Sequence, residues 1–240
     1  YVFFMGRILS DKRFELYSLY VFCAAIFFLL QEGQLNLFVP EHAFVLSHQM
    51  YLIFAGLTVF TATIFIVRLT DLHLAWPKVS RYGLHGSATV VLLASIAMSF
   101  LEHNAVSFWL GKMMSNLTLI IMLILLYLLI TQSYRGVRMS WLVLFSLLVM
   151  VIAMIFRLVL TDVDPFLNRY ALIIAFAVEA FMLAVVVSSR IKDLKLDKIR
   201  AQTDANTDLL CNILNRRGWE KKAQELLLYQ EHNNGVLSLL

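Results

Sequence analysis

The sequence predicts an all-α membrane helical bundle of six complete spans and the end of a seventh, then a cytoplasmic helix and the start of an α/β domain. Three observations carry this reading. Of 240 residues, 60% are apolar and 15% charged, where a soluble domain carries about 25% charged. Mean hydropathy is +0.77. The charges are also crowded into short segments, leaving apolar runs between them. A soluble globule of this length needs polar cover that 16 acidic and 20 basic residues, so confined, do not supply. The same composition excludes disordered, fibrous and disulfide-rich classes.

The spans follow from length. A bilayer core of about 30 Å takes roughly 17–25 apolar residues per helix. Phe14 to Gln31, Met50 to Val67, Tyr82 to Leu101, Met113 to Tyr134, Met139 to Phe156 (continuing to Leu160) and Tyr170 to Ser189 each meet that requirement. The opening Tyr1 to Ser10 reads as the last turns of a further span. With no initiator Met and an apolar run, Val236 to Leu240, at its close, the chain is expected to be a piece of a longer protein. Phe14 to Gln31 has no small-residue cleavage site and leads into more spans, so it is not a signal peptide.

Orientation comes from Lys and Arg in the short loops, which collect on the cytoplasmic side. One side holds thirteen, from Arg7, Lys12 and Arg13 through Arg68, Lys78, Arg81, Arg135 and Arg138 to the group Arg190 to Arg200. The other holds Lys112, Arg157 and Arg169. This bias predicts a cytoplasmic C-terminus and an outer loop over 32–49.

Beyond Arg190 the chain is charged, lacks Gly and Pro as far as Asp208, and favours helix. The last span is expected to run on as a cytoplasmic helix over 190–206, giving a membrane region over 1–189 and a third region over 207–240. Val187, Ile191, Leu194, Ala201 and Ala205 fall on a 3-4 spacing broken by Lys198. That pattern fits a weak seam with a second copy and equally a solvated helix. An amphipathic helix carrying Trp219, Ala223, Leu226 and Leu227 follows, then a His-Asn-Asn-Gly turn and the apolar strand Val236 to Leu240. Helix, turn and short apolar strand is how an α/β domain begins.

The run Asp208-Leu209-Leu210-Cys211-Asn212-Ile213-Leu214-Asn215-Arg216-Arg217-Gly218-Trp219 resembles the opening motif of the GGDEF domain of diguanylate cyclases, Asp-x-Leu-Thr-x-Leu-x-Asn-Arg-Arg. Asp208, Leu210, Asn215, Arg216 and Arg217 match. Cys211 stands where Thr is usual, Asn212 where Gly is common and Leu209 where Pro is common, departures that bear on catalytic competence. The upstream part resembles seven-transmembrane receptors with diverse intracellular signalling modules. Ser10-Asp11-Lys12-Arg13-Phe14-Glu15-Leu16-Tyr17 and the span from Glu179-Ala180-Phe181 to Ser189-Arg190-Ile191 carry that likeness.

Together these resemblances imply a receptor in a bacterial inner membrane that regulates a cyclase joining two GTP into cyclic di-GMP. They imply Mg²⁺ and GTP as cofactor and substrate, a homodimer, and an unknown extracytoplasmic ligand. Residues 1–240 are expected to hold no catalytic residue of that reaction, whose site would lie beyond Leu240. Alternatives are a non-catalytic receptor with a degenerate GGDEF domain used for binding, and a receptor histidine kinase. For the kinase, no phosphoacceptor box of the His-Glu-x-Arg-Thr-Pro kind follows Arg190. A transporter is disfavoured, because no corresponding pair of Gly/Pro-broken spans is visible. No nucleic-acid motif, zinc ligand set or Gly-rich phosphate loop is present.

Within the membrane, Glu179 is the residue the pattern singles out. Mid-span, an acidic side chain costs roughly 2.5–3.5 kcal/mol on insertion scales, offset by facing the interior, by protonation or by a partner. Arg157, Ser95 and Asn116 are the partners expected from sequence. Glu179 then serves as a polar switch or as one fixed interhelical bond. One turn away, Ala177, Ala180, Ala184 and Ser188 form a small-residue stripe open to close helix packing. Outside, Glu41, His42 and His48 with Glu102 and His103 lack tight metal-ligand spacing. His73 and His85, flanking Pro77, are expected at the surface. Cys23 and Cys211 fall in different solvents and are expected unpaired.

Overall fold

The computed structural model describes residues 11–34, 44–101, 105–136, 140–159, 165–208, 211 and 213–233. Eight α-helices are described: α1 (Lys12–Gln31), α2 (Phe44–Leu69), α3 (Leu72–Ala75), α4 (Gly86–Ser99), α5 (Ala105–Tyr134), α6 (Ser140–Val159), α7 (Pro165–Asn206) and α8 (Arg216–Asn233). A π-helical segment, Val79–His85, opens directly into α4. Six helices among the described residues are long and apolar enough to cross a membrane: Lys12–Gln31, Gln49–Leu69, Val79–Ser99, Trp109–Tyr134, Ser140–Leu158 and Tyr170–Ala201. The six expected spans are therefore present. The Tyr1 to Ser10 segment and the strand expected over Val236 to Leu240 lie outside the described residues.

The chain divides into two compact units, Tyr1–Val186 and Val187–Leu240. In the first, α1 and the end of α5 show local start and stop signals. The Asp11 side chain caps α1, accepting from Arg13 N–H at 2.9 Å. Gly33 ends it at φ 70°, where glycine takes the left-handed conformation without a Cβ clash. Gly136, at φ 75°, ends α5 in the same way. Several threonine hydroxyls are satisfied by their own helix. Thr58, Thr61, Thr63 and Thr70 each donate to the carbonyl four residues back at 2.7 Å. A polar residue so bonded leaves no free donor facing lipid.

Lipid as solvent removes most of the hydrophobic drive between helices, so close packing decides which faces meet. Phe27 and Phe28 of α1, Met150 and Ala153 of α6, and Leu172 and Ala175 of α7 form one buried cluster. Large side chains such as Phe22, Leu93, Tyr127 and Phe181 point outward, the arrangement of a surface that meets acyl chains. Helices α2 and α4 cross at Gly56, where any Cβ would overlap Ser95 Oγ and lie 3.1 Å from Leu92 Cα.

In the second unit, α7 continues to Asn206 without interruption. The chain then turns through an isolated antiparallel bridge between Thr207 and Leu214, the single extended pairing among the described residues, and enters α8.

Candidate functional site

The site at the membrane centre grows from the spacing of α1. Phe14, Tyr17, Tyr20, Ala24, Phe27 and Phe28 recur at three or four residues and are all buried, so one face of the helix turns inward. On α7 the inward set is Leu172, Ala175, Glu179, Leu183 and Val186. Of the small-residue stripe, Ala180 and Ala184 are half-buried beside this inward face, while Ala177 and Ser188 are exposed.

Tyr20 and Glu179 therefore meet. Tyr20 Oη donates to Glu179 Oε2 at 2.7 Å in a fully buried contact, with both residues 2% exposed. The Tyr20 ring stacks on Phe65 at 6.2 Å between centroids and meets Phe176 edge-on at 5.9 Å. One turn away, Tyr17 Oη donates to the Ala180 carbonyl at 3.0 Å, and its ring lies 5.4 Å from Phe65. Two phenols three residues apart on α1 thus grip adjacent positions of α7, and Phe65 of α2 braces both rings. A short O–H···O bond between buried groups is stronger than its counterpart in solution.

The partners expected for Glu179 from sequence are elsewhere. Arg157 Nη1 donates to Gln31 Oε1 at 3.4 Å, at the far end of α1. Ser95 donates to the Leu92 carbonyl of its own helix at 2.9 Å, and Asn116 is exposed. Tyr20 is the residue the sequence reading passed over. A pair of Tyr at i and i+3 inside an apolar span was the available signal, since a tyrosine hydroxyl buried in hydrocarbon must find a partner.

The motif after the last span makes a compact junction. Asn215 is its centre. Its side chain donates to the Ala205 carbonyl at 2.9 Å and accepts from Gly218 N–H at 2.9 Å, the second contact being an N-cap for α8. Its backbone N–H donates to the Asn206 carbonyl at 2.8 Å. Asp208 Oδ1 accepts from Cys211 N–H at 3.3 Å, and Asp208 N–H donates to the Ile213 carbonyl at 2.8 Å. Gly218 is buried against Asn206, whose carbonyl oxygen any Cβ there would overlap. Arg216 pairs with Glu220 at 3.0 Å in an exposed i,i+4 contact, and Arg217 is exposed. Leu210 lies outside the described residues. Trp219, Leu226 and Leu227 of α8 are exposed on the chain as described.

Both cysteines are free, Cys23 buried and Cys211 exposed. Glu41, His42, Glu102 and His103 lie outside the described residues, as does the side chain of His48. His73 and His85 are not the surface residues expected of them: each is half-buried, with its Nδ1 atom fully covered. The cause is the loop itself, which folds back as α3 and the π-helical segment instead of projecting outward.

Six membrane-capable helices around a buried carboxyl–phenol contact define a multi-pass membrane protein. A protein-family model described as 7TM diverse intracellular signalling matches residues 1–190. The chain belongs to that family, and its first 190 residues are a membrane signalling-receptor region. No curated protein and no solved structure matches the chain. The matched range ends before Asp208, so it supports the resemblance drawn for the upstream part and does not bear on the cyclase-like motif.

Proposed function

We propose that this receptor region controls a diguanylate cyclase domain that opens at about residue 207. The observation that supports the reading is the Asp208 to Trp219 motif, read together with its position. It follows directly on α7, a helix of 42 residues that leads from the membrane region to the motif. In this reading a ligand on the outer side shifts the packing of the bundle, α7 carries the shift, and the junction at Asn215 hands it to the output domain. The output converts two GTP into cyclic di-GMP and two pyrophosphate, with Mg²⁺. Each domain presents one GTP, so the working unit is a homodimer, the reactants being brought together by subunit pairing. The protein sits in a bacterial inner membrane with residues 190–240 in the cytoplasm.

Reading the coding sequence past Leu240 and assaying the complete protein with GTP and Mg²⁺ tests the proposal. An intact Gly-Gly-(Asp/Glu)-Glu-Phe signature and production of cyclic di-GMP are expected. A degenerate signature without turnover would replace the enzyme with a binding module, and a phosphoacceptor histidine box would make the protein a kinase.

A further inference from the structure

Helix α5 turns two different faces outward and inward. Thr118, Ile121, Leu125, Leu129 and Gln132 are buried, so one side is taken up by the bundle. On the other side Met113, Asn116, Ile120, Leu123 and Tyr127 follow at alternating steps of three and four residues, and all are exposed. The same repeat reaches Trp109 at one end and Tyr134 at the other, both exposed as well. A seam with this period, kept along a whole span, is the surface on which a second helix seats. Two polar side chains within it decide what that helix is.

Their depth follows from the ends of the span. Lys112 Nζ lies 5.8 Å over the Trp109 ring, and at the other end Tyr134 lies 6.1 Å from Trp141, next in sequence to Arg135. Aromatic and basic residues gather in this way at the headgroup level. The stretch between Lys112 and Tyr134 measures about 30 Å at 1.5 Å per residue, the thickness of the hydrocarbon core. Asn116 then lies about 6 Å inside one boundary and Tyr127 about 10 Å inside the other. The Tyr127 phenol covers part of its distance; the Asn116 amide, on one methylene, does not reach back to the headgroups.

Among the described residues neither side chain has a hydrogen-bond partner. Thr118, two positions on, shows the usual solution, donating to the Met114 carbonyl of its own helix at 2.9 Å. Asn116 does not take it, and acyl chains offer neither donor nor acceptor. An amide left in hydrocarbon is costly, so this face calls for a polar partner.

We infer that the outward face of α5 is where two copies of this chain pair within the membrane, joined through Asn116. An amide carries an acceptor and two donors, so across a twofold axis each Asn116 donates to the other and accepts in return. One Asn in an apolar seam fixes the register of a parallel pair, and two copies inserted in the same sense are parallel. A second copy also matches in length and level, bringing both Trp109 and both Tyr134 side chains to the same headgroup planes. Twofold pairing is the commonest closed arrangement, and polar groups between helices act where lipid removes most of the hydrophobic drive. The working unit proposed above is a homodimer; this face names a contact within it, but it rests on α5 alone and holds whatever the output domain is.

The test takes the full chain, fluorescently labelled at its N-terminus, in phosphatidylcholine vesicles of increasing lipid-to-protein ratio, with association counted by single-molecule photobleaching. The chain should dimerise. Asn116→Leu should weaken dimerisation about eightfold, the worth of two reciprocal hydrogen bonds of ordinary membrane strength. Asn116→Gln, which keeps the amide, should retain most of it, and both variants should stay folded by circular dichroism, the position being exposed. In a chain carrying Cys211→Ser, with Cys23 left buried, Asn116→Cys, Ile120→Cys and Leu123→Cys should each oxidise to a disulfide-linked dimer under copper phenanthroline. Phe22→Cys on α1 and Leu93→Cys on α4, also at exposed positions, should not. A monomer at every dilution, association unchanged by Asn116→Leu, or cross-linking at Phe22 or Leu93 in preference to the α5 positions would overturn the inference. None of these results bears on the production of cyclic di-GMP, which tests the cyclase reading separately.

Discussion

The Tyr20 hydroxyl and the Glu179 carboxylate, 159 positions apart in the chain, meet at 2.7 Å inside the bundle. This contact ties α1 to the part of α7 that lies in the first unit. Interhelical hydrogen bonds in membranes average about 0.6 kcal/mol and reach about 1.7. Two receptor states separated by a few kcal/mol are rebalanced by losing one such bond, without unfolding.

Glu179→Gln preserves an acceptor for the Tyr20 hydroxyl and should keep near-normal ligand-dependent output. Glu179→Leu should insert at least as well, since the polar cost disappears, yet leave output fixed high or low. Tyr20→Phe should copy the Leu variant, and combining the two should add nothing further. Additive effects in that double-mutant cycle, or normal regulation in every variant, would make the contact passive packing.

Rotational phase along α7 offers a second test. One residue inserted near Lys195 turns everything downstream by about 100°, whereas seven nearly restore the phase. Output of the complete protein should fail with one and return with seven. Equal output from both would reduce 190–206 to a tether.

The α2–α4 crossing sets a third expectation. At Gly56 a side chain would run into Ser95 and close on the Leu92 backbone. Gly56→Leu should lower stability in detergent by about 1–3 kcal/mol, as overpacking does, read from the unfolding midpoint. Ser95→Gly should recover part of the loss by vacating the space, leaving the Leu92 contact.

Asn215 provides a fourth. Asn215→Ala removes the cap of α8 and its side-chain bonds to the end of α7, and should cost about 1 kcal/mol by the cap alone. Faster proteolysis between 206 and 216 is the measurement. Arg217→Ala, at an exposed position, should leave that rate unchanged.

Topology is checked by reporter fusions. A cytoplasmic reporter should be active after Arg200 and silent within 33–48. The reverse pattern would invert the orientation drawn from the thirteen-to-three distribution of Lys and Arg.

Sequence alone determined the class of protein and the place of its helices. Apolar length and charged punctuation are local quantities, and a helix that crosses a membrane satisfies its backbone by itself. For the same reason the inward position of Glu179 was legible, because an acidic group in hydrocarbon has few other places to go. Its partner was not. Tyr20, Arg157 and Ser95 are each compatible with the pattern, and only the packing of Phe65 and Phe176 around the Tyr20 ring decides among them. The burial of His73 and His85 was likewise invisible, since a polar loop with Pro77 reads as surface until the chain folds back through a left-handed Asp71 and a π-helical segment. Those outcomes depend on which helix faces meet, a property of many weak contacts distributed along the chain that no local run of residues contains.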